Sequence, residues 1–169
     1  ETGLPAETAG RGVAGAAGTG DRRSEGTDGI MPNGIAASPD GRILYMNASG
    51  ENSIRKIEVA TGKELGRATV SSPDNVTWSP DGRLLVASAF VGEIDPAVFG
   101  ACMAKQYGYC EIPFKIMAVD PATMTTLGPV YESDGTPLGA GTVGLQVGRE
   151  LFIGSFKSDR ILRVALDEK

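Results

Sequence analysis

At 169 residues the chain is long enough to bury a sizeable core as one domain. Its 24 glycines and 10 prolines favour many short strands joined by tight turns, while a net charge of −5 with no basic cluster gives no reason to expect a nucleic-acid partner. No apolar run approaches the roughly 18 residues that span a bilayer, and the absence of histidine excludes Ser-His and Cys-His nucleophiles, histidine metal ligands and a histidine general base within this chain.

Residues 1–29 are rich in Gly, Ala, Thr and charge and show neither a period of two nor one of 3.6, so they are expected to be irregular or flexible. They lack the charged-then-apolar pattern of a signal peptide, and the chain opens on Glu1 rather than Met, as a processed product or a fragment would. From residue 30 to 169 short strands follow one another. Ile35–Ala37 leads through Ser-Pro-Asp-Gly into Ile43–Met46, then Ile54–Val59, an Ala-Thr-Gly turn, and Glu64–Val70. A second set reads Val76–Trp78, Leu84–Ala87, Lys115–Val119 and Thr126–Tyr131, and a third reads Thr142–Leu145, Leu151–Gly154 and Ile161–Ala165. Between the second and third strands of the middle set lies an insertion at about 90–113 that holds both cysteines. A connection this long is either a functional flap or a decorative surface loop.

The sets are repeats. Pro32-Asn33-Gly34-Ile35-Ala36-Ala37-Ser38-Pro39-Asp40-Gly41-Arg42 is echoed by Pro73-Asp74-Asn75-Val76-Thr77-Trp78-Ser79-Pro80-Asp81-Gly82-Arg83, an interval of 41 residues from Pro32 to Pro73 and from Asp40 to Asp81. That spacing is typical of four-stranded propeller blades. The expected fold is therefore all-β: about three four-stranded blades of a β-propeller, the last lacking its fourth strand, in an incomplete ring. In both copies a hard-oxygen side chain, Asn33 or Asp74, stands just before the first apolar strand. If these strands line a central channel, the two oxygens converge as a calcium site requires.

Each motif also has a plainer reading. Asn33-Gly34 and Asp74-Asn75 are good turn dipeptides. Asp40, Asp81 and Asp120 sit in Pro-Asp-Gly or Asp-Pro-Ala steps and are read as turn formers. Trp78 is expected to pack between blades. Asn47-Ala48-Ser49 and Asn75-Val76-Thr77 fit the glycosylation acceptor pattern, although a channel-facing Asn75 would be out of reach. Cys102 and Cys110 are close enough in sequence to form a disulfide, which would favour an oxidising, periplasmic or secreted setting. Two cysteines without histidine make a poor zinc site.

Four stretches carry a family resemblance: Met31-Pro32-Asn33-Gly34-Ile35, Pro73-Asp74-Asn75-Val76, Val119-Asp120-Pro121-Ala122-Thr123, and Tyr131 to Val164 through Gly139-Ala140-Gly141-Thr142-Val143 and Leu151-Phe152-Ile153-Gly154-Ser155-Phe156. In order and spacing, about Thr27 to Leu166 resembles the C-terminal half of the six-bladed, calcium-dependent propellers of the gluconolactonase, regucalcin (senescence-marker-protein) and paraoxonase-like superfamily. The resemblance implies Asn33 and Asp74 as Ca²⁺ ligands, Asn75 as a third if the paraoxonase branch is the nearer, and Asp74 as the candidate general base. The implied reaction is hydrolysis of a small-molecule lactone or ester. Nothing in residues 1–29 matches the family's glutamate ligand, so this chain alone is expected to be a poor enzyme whose open blade edges favour association. Two other readings stay open: a non-catalytic propeller scaffold with a structural calcium, and a strictosidine-synthase-like relative without calcium chemistry.

Overall fold

The computed structural model describes residues 9, 10, 13–16, 20–90, 92 and 94–166. In the described part of the N-terminal segment, β1 (Ala9–Gly10) pairs with β4 (Gly29–Ile30), and β2 (Val13–Ala16) pairs with β3 (Gly20–Arg23), both antiparallel. Composition alone announces neither pairing. The remainder of residues 1–29 lies outside the described residues.

Three antiparallel sheets follow in chain order. The first runs β5 (Pro32–Ala37), β6 (Ile43–Ala48), β7 (Ser53–Glu58) and β8 (Glu64–Thr69). The second runs β9 (Pro73–Trp78), β10 (Leu84–Ser88), β11 (Phe114–Asp120) and β12 (Thr125–Ser133). The third has three strands, β13 (Gly141–Val147), β14 (Glu150–Ser155) and β15 (Leu162–Ala165). The fold is all-β, and each sheet is a blade in which every strand pairs with its sequence neighbour. The first strands of the blades lie side by side, with β9 between β5 and β13.

Alternate faces of the middle blade supply both inter-blade cores. Leu84 and Val86 of β10 face the first blade and pack with Tyr45, Ile54, Val76 and Val119. Leu85 and Ala87 face the third blade and pack with Phe114, Ile116, Leu151 and Ile153. A strand buried on both faces must read as a continuous apolar run, as Leu84-Leu85-Val86-Ala87 does. Each fully buried Leu or Ile here contributes roughly 1.5–3 kcal/mol, so the middle blade is the anchor. Trp78 lies between blades: its Nε1 donates to the Ala37 carbonyl at 2.8 Å, and its ring meets Tyr45 edge-on at 5.5 Å.

The turns close as their residues dictate. Ser38 Oγ donates to Asp40 Oδ1 at 2.6 Å and the Arg42 N–H donates to the same oxygen at 3.1 Å, which holds Asp40 below the usual carboxylate range. In the second copy the Arg83 guanidinium and the Ser79 hydroxyl bring Asp81 down to about 2. Asp120 Oδ1 accepts from the N–H groups of Thr123 and Ala122. These three carboxylates are occupied in turn formation.

The insertion contains an element that periodicity did not reveal, helix α1 (Pro96–Ala104). Its signal was local rather than periodic. Asp95 is the N-cap, accepting from the Ala97 N–H at 2.7 Å, and Pro96 fills the first helical position, where a missing N–H costs nothing. Cys102 of α1 is disulfide-bonded to Cys110 with Cα atoms 5.2 Å apart, and both pack with Ile112 and Ala140 in a small core of their own.

Candidate functional site

The opening of each innermost strand is distorted in the same way. Pro32 pairs with Ala48 and Ile35 with Met46, so Asn33 and Gly34 together oppose the single residue Asn47. Pro73 pairs with Ser88 and Val76 with Val86, so Asp74 and Asn75 together oppose Ala87. In the third blade Gly141 pairs with Ser155 and Val143 with Gly154, leaving Thr142 as the extra residue. A bulge re-aims the side chains at its position and is over-represented beside binding and catalytic sites. Asn33 and Asp74 thus owe their orientation to two bulges in register, and Thr142 holds the equivalent place in the third repeat.

The bulges are packed against one another. A Cβ on Gly34 would lie 2.5 Å from both Asn75 Cα and the Asp74 carbonyl oxygen, so only glycine lets β5 approach β9 this closely. From the opposing strand, Asn47 Nδ2 donates to the Asp74 carbonyl at 2.6 Å, and the Ser49 hydroxyl donates to the Pro73 carbonyl. On the far side, Asn75 Nδ2 donates at 2.9 Å both to Asp74 Oδ1 and to the Thr142 carbonyl. The backbone around Asp74 is therefore pinned from two blades.

Asn33 and Asp74 line one cavity of about 180 Å³, with Ser49 and Ser72 as its other polar members. Its apolar members are Met31, Pro73, Ala89 and Phe90. Asn75 is not among the lining residues; its nitrogen lies between two acceptors. The volume falls below the roughly 300–1,000 Å³ of drug-sized ligand pockets, leaving room for an ion with water or for one substituent of a substrate. Three of the cavity residues, Met31 (φ 52°), Ser72 (φ 41°) and Phe90 (φ 60°), have left-handed backbones, against six such non-glycine residues among all the described residues. Each costs on the order of 1–3 kcal/mol, and such outliers cluster at functional sites. Met31 and Ser72, like Ala140 (φ 51°), immediately precede an innermost strand.

Asp74 is half-buried, and burial raises its carboxyl above the usual range. Among the described residues no hydrogen bond reaches its Oδ2. No group of three or more His, Cys, Asp or Glu side chains is assembled among the described residues, so a cation here would meet one carboxylate and otherwise neutral oxygens. That donor set fits calcium in kind, since Ca²⁺ takes hard oxygens from carboxylates, carboxamides and carbonyls. It falls short in number of the 6–8 oxygens usually taken, so water or other ligands would complete the shell. A half-buried carboxylate whose one hydrogen-bond donor among the described residues is the neutral Asn75 amide is the feature that favours an added cation.

Sequence reasoning missed Asn47 and Ser49 as parts of this site and read them only as a glycosylation pattern. Asn47 is fully buried, its nitrogen is engaged, and its Oδ1 is shielded without a partner among the described residues. In the fold it is a support for Asp74, closed to modification. The available signal was a polar residue, Asn47, near the end of an otherwise apolar second strand, with Ser49 just beyond it.

Blades aligned side by side with a polar cavity at the openings of their innermost strands define a partial β-propeller. No family model and no curated protein matches this chain. Among solved structures, hydrazine synthase of Kuenenia stuttgartiensis overlays with a TM-score of 0.55 at 18% identity, over 87% of this chain and 36% of that one. A candidate 6-phosphogluconolactonase of Bacteroides fragilis overlays with a TM-score of 0.52 at 15% identity, over 83% of this chain and 36% of that one. At these identities the likeness speaks for the fold alone. The chain spans about a third of the length of either structure. No helix among the described residues is long and apolar enough to cross a membrane.

Proposed function

We propose that the chain is the C-terminal part of a calcium-dependent lactonase- or arylesterase-like propeller of the gluconolactonase and paraoxonase-like kind, with Asn33 and Asp74 at the metal. The observation that carries this reading is that the two bulged strand openings bring Asn33 and Asp74 to one cavity, with Asp74 half-buried. Asn75 orients the carboxylate through Oδ1; it lies outside the cavity lining, and its own oxygen would be a third ligand only if the paraoxonase branch is the nearer. Calcium, when bound, would polarise the carbonyl of a lactone or ester and stabilise the charge developing on its oxygen. Asp74 Oδ2, which no hydrogen bond reaches among the described residues, is the atom we assign to take a proton from an attacking water. Asn47 and Ser49 hold the Asp74 backbone still, so that geometry need not be rebuilt during reaction.

The first and third blades expose Ile35, Leu65, Leu145 and Val147, whereas the middle blade packs on both faces and exposes only Leu127, at its outer strand, among the large apolar residues of its described strands. Those surfaces support association with further sheet. The same pinned backbone would equally hold a structural cation in a non-catalytic scaffold.

The test is a calcium titration of this chain followed by nuclear magnetic resonance, with a lactone hydrolysis assay alongside. Binding should be weak, with Kd on the order of 10⁻⁴ M or above as in weakly coordinated modules. It should perturb Asn33 and Asp74 first and be lost in Asp74→Ala. Turnover should be slow. Calcium that leaves the resonances of both residues unmoved refutes the site, and firm binding with no hydrolysis by a longer polypeptide carrying this chain selects the scaffold.

A further inference from the structure

Phe90 stands where the insertion meets the site. Phe90 is one of the residues lining the cavity, with Asn33 and Asp74. Its ring lies 6.0 Å, centroid to centroid, from Phe99 of α1 and 5.8 Å from Phe156, just past β14. It also packs on the small core formed by Cys102, Cys110, Ile112 and Ala140. One residue therefore lines the cavity and packs against the disulfide-stapled flap.

Its backbone makes the placement informative. Phe90 has φ 60°, a region where a bulky residue is a true outlier and where glycine or asparagine would turn the chain at little cost. Turning the chain does not explain a phenylalanine here; placing its ring does. Met31, Pro73 and Ala89 continue the apolar side of the cavity, while Asn33 and Asp74 stand among its polar members. A ligand bound with its carbonyl toward the polar side would direct its substituent at the Phe90 ring.

We propose that Phe90 is the specificity-determining wall of this site and that the Cys102–Cys110 flap sets its position through Phe99, so that the flap decides how large a substituent fits beside Asn33 and Asp74. This inference rests on the reading of the cavity as a lactone or ester site. Phe90 does no chemistry; it positions and excludes. Reduction of the disulfide frees α1 from Cys110 and loosens the support behind Phe99, which widens the cavity.

The experiment has two arms. In the first, γ-lactones with side chains from none to octyl are titrated, in calcium, into the wild-type chain and the Phe90→Ala, Phe90→Gly and Phe99→Ala variants, and resonances of Asn33 and Asp74 are followed. Phe90→Gly removes the ring and relieves the left-handed backbone, so it remains informative if Phe90→Ala folds poorly. Both should move the preference toward longer side chains by about tenfold or more, since even a methylene-sized change in an apolar pocket discriminates by about 10–200-fold. Phe99→Ala should move it the same way by less. In the second arm, without lactone, dithiothreitol should shift the amide resonances of Met31, Asn33, Ser72 and Ala89 in the wild type but not in Phe90→Gly.

Lactones that perturb Asn33 and Asp74 with one unchanged preference in all four proteins overturn the wall while leaving the site intact. Lactones that perturb neither residue in any protein overturn the hydrolytic reading, and the ligand-free arm then decides the coupling by itself. A response to reduction confined to residues 94–112 and Ala140 overturns the coupling.

Discussion

Asp74 is the residue on which the site turns, and its protonation gives the simplest measurement. Burial raises its folded pKa above the unfolded value near 3.8, so at pH values between the two the folded state holds the proton more tightly. Its contribution to stability is then greatest below the unfolded pKa and is lost as pH rises through the folded pKa. In the absence of divalent cations, Asp74→Asn should remove that loss and raise the unfolding midpoint at neutral pH, with no gain at pH 3. Calcium should reverse the order, stabilising the wild type and not the variant, because a bound cation favours the ionised form. Thermal unfolding with and without a chelator reads both effects, and a wild type that is indifferent to calcium would contradict the assignment. Asp81 provides a contrast of opposite sign. Its pKa is lowered to about 2 by Arg83 and Ser79, so its turn is stabilised above pH 3.8 and loses that help as pH falls toward 2.

Among elements, the paired bulges of β5 and β9 matter more than either strand. They bring two polar residues to one cavity, and their close approach depends on Gly34. Gly34→Ala places a methyl group 2.5 Å from the backbone of Asp74 and Asn75, where no flexible side chain can yield. We expect a loss of about 1–3 kcal/mol in urea unfolding, the usual cost of overpacking, together with weakened calcium binding because β5 is pushed off β9. A variant as stable as the wild type would show that the blades can separate freely here. The strands themselves were readable. Ile43-Leu44-Tyr45-Met46 and Leu84-Leu85-Val86-Ala87 announce buried second strands, and the Ser-Pro-Asp-Gly steps announce the hairpins before them. The bulges were not readable, because an extra residue in a strand changes its register with a neighbour and leaves no mark on composition. Helix α1 escaped because its buried residue, Cys102, stands alone and no apolar face repeats along it.

At the scale of the whole molecule, three blades give two inter-blade cores, both anchored on the middle blade. The outer faces of the first and third blades keep Ile35, Leu65, Leu145 and Val147 in solvent. A cation in the cavity would be held from one side by Asn33 and Asp74, and a substrate would find one wall. This is the physical ground for expecting weak calcium binding and slow turnover from this chain: fewer anionic ligands compete with hydration, and water exclusion needs an enclosed site.

By itself the amino-acid sequence determined the strand order, the repeat of 41 residues, the turn chemistry of Asp40, Asp81 and Asp120, and the class of the fold, since each follows from local propensity and from the period of burial along one stretch of chain. It also marked Asn33 and Asp74, through their equivalent places in two repeats. Only the tertiary structure decided that they share a cavity, that Asn47 and Ser49 reach across from the first blade to hold the Pro73–Asp74 backbone, that Asn75 spends its nitrogen on Asp74 and Thr142, and that Phe90 joins the flap to the site. These are contacts between residues distant in sequence, set by bulge register and blade packing. Their energies depend on where neighbouring strands come to rest, which no local pattern encodes.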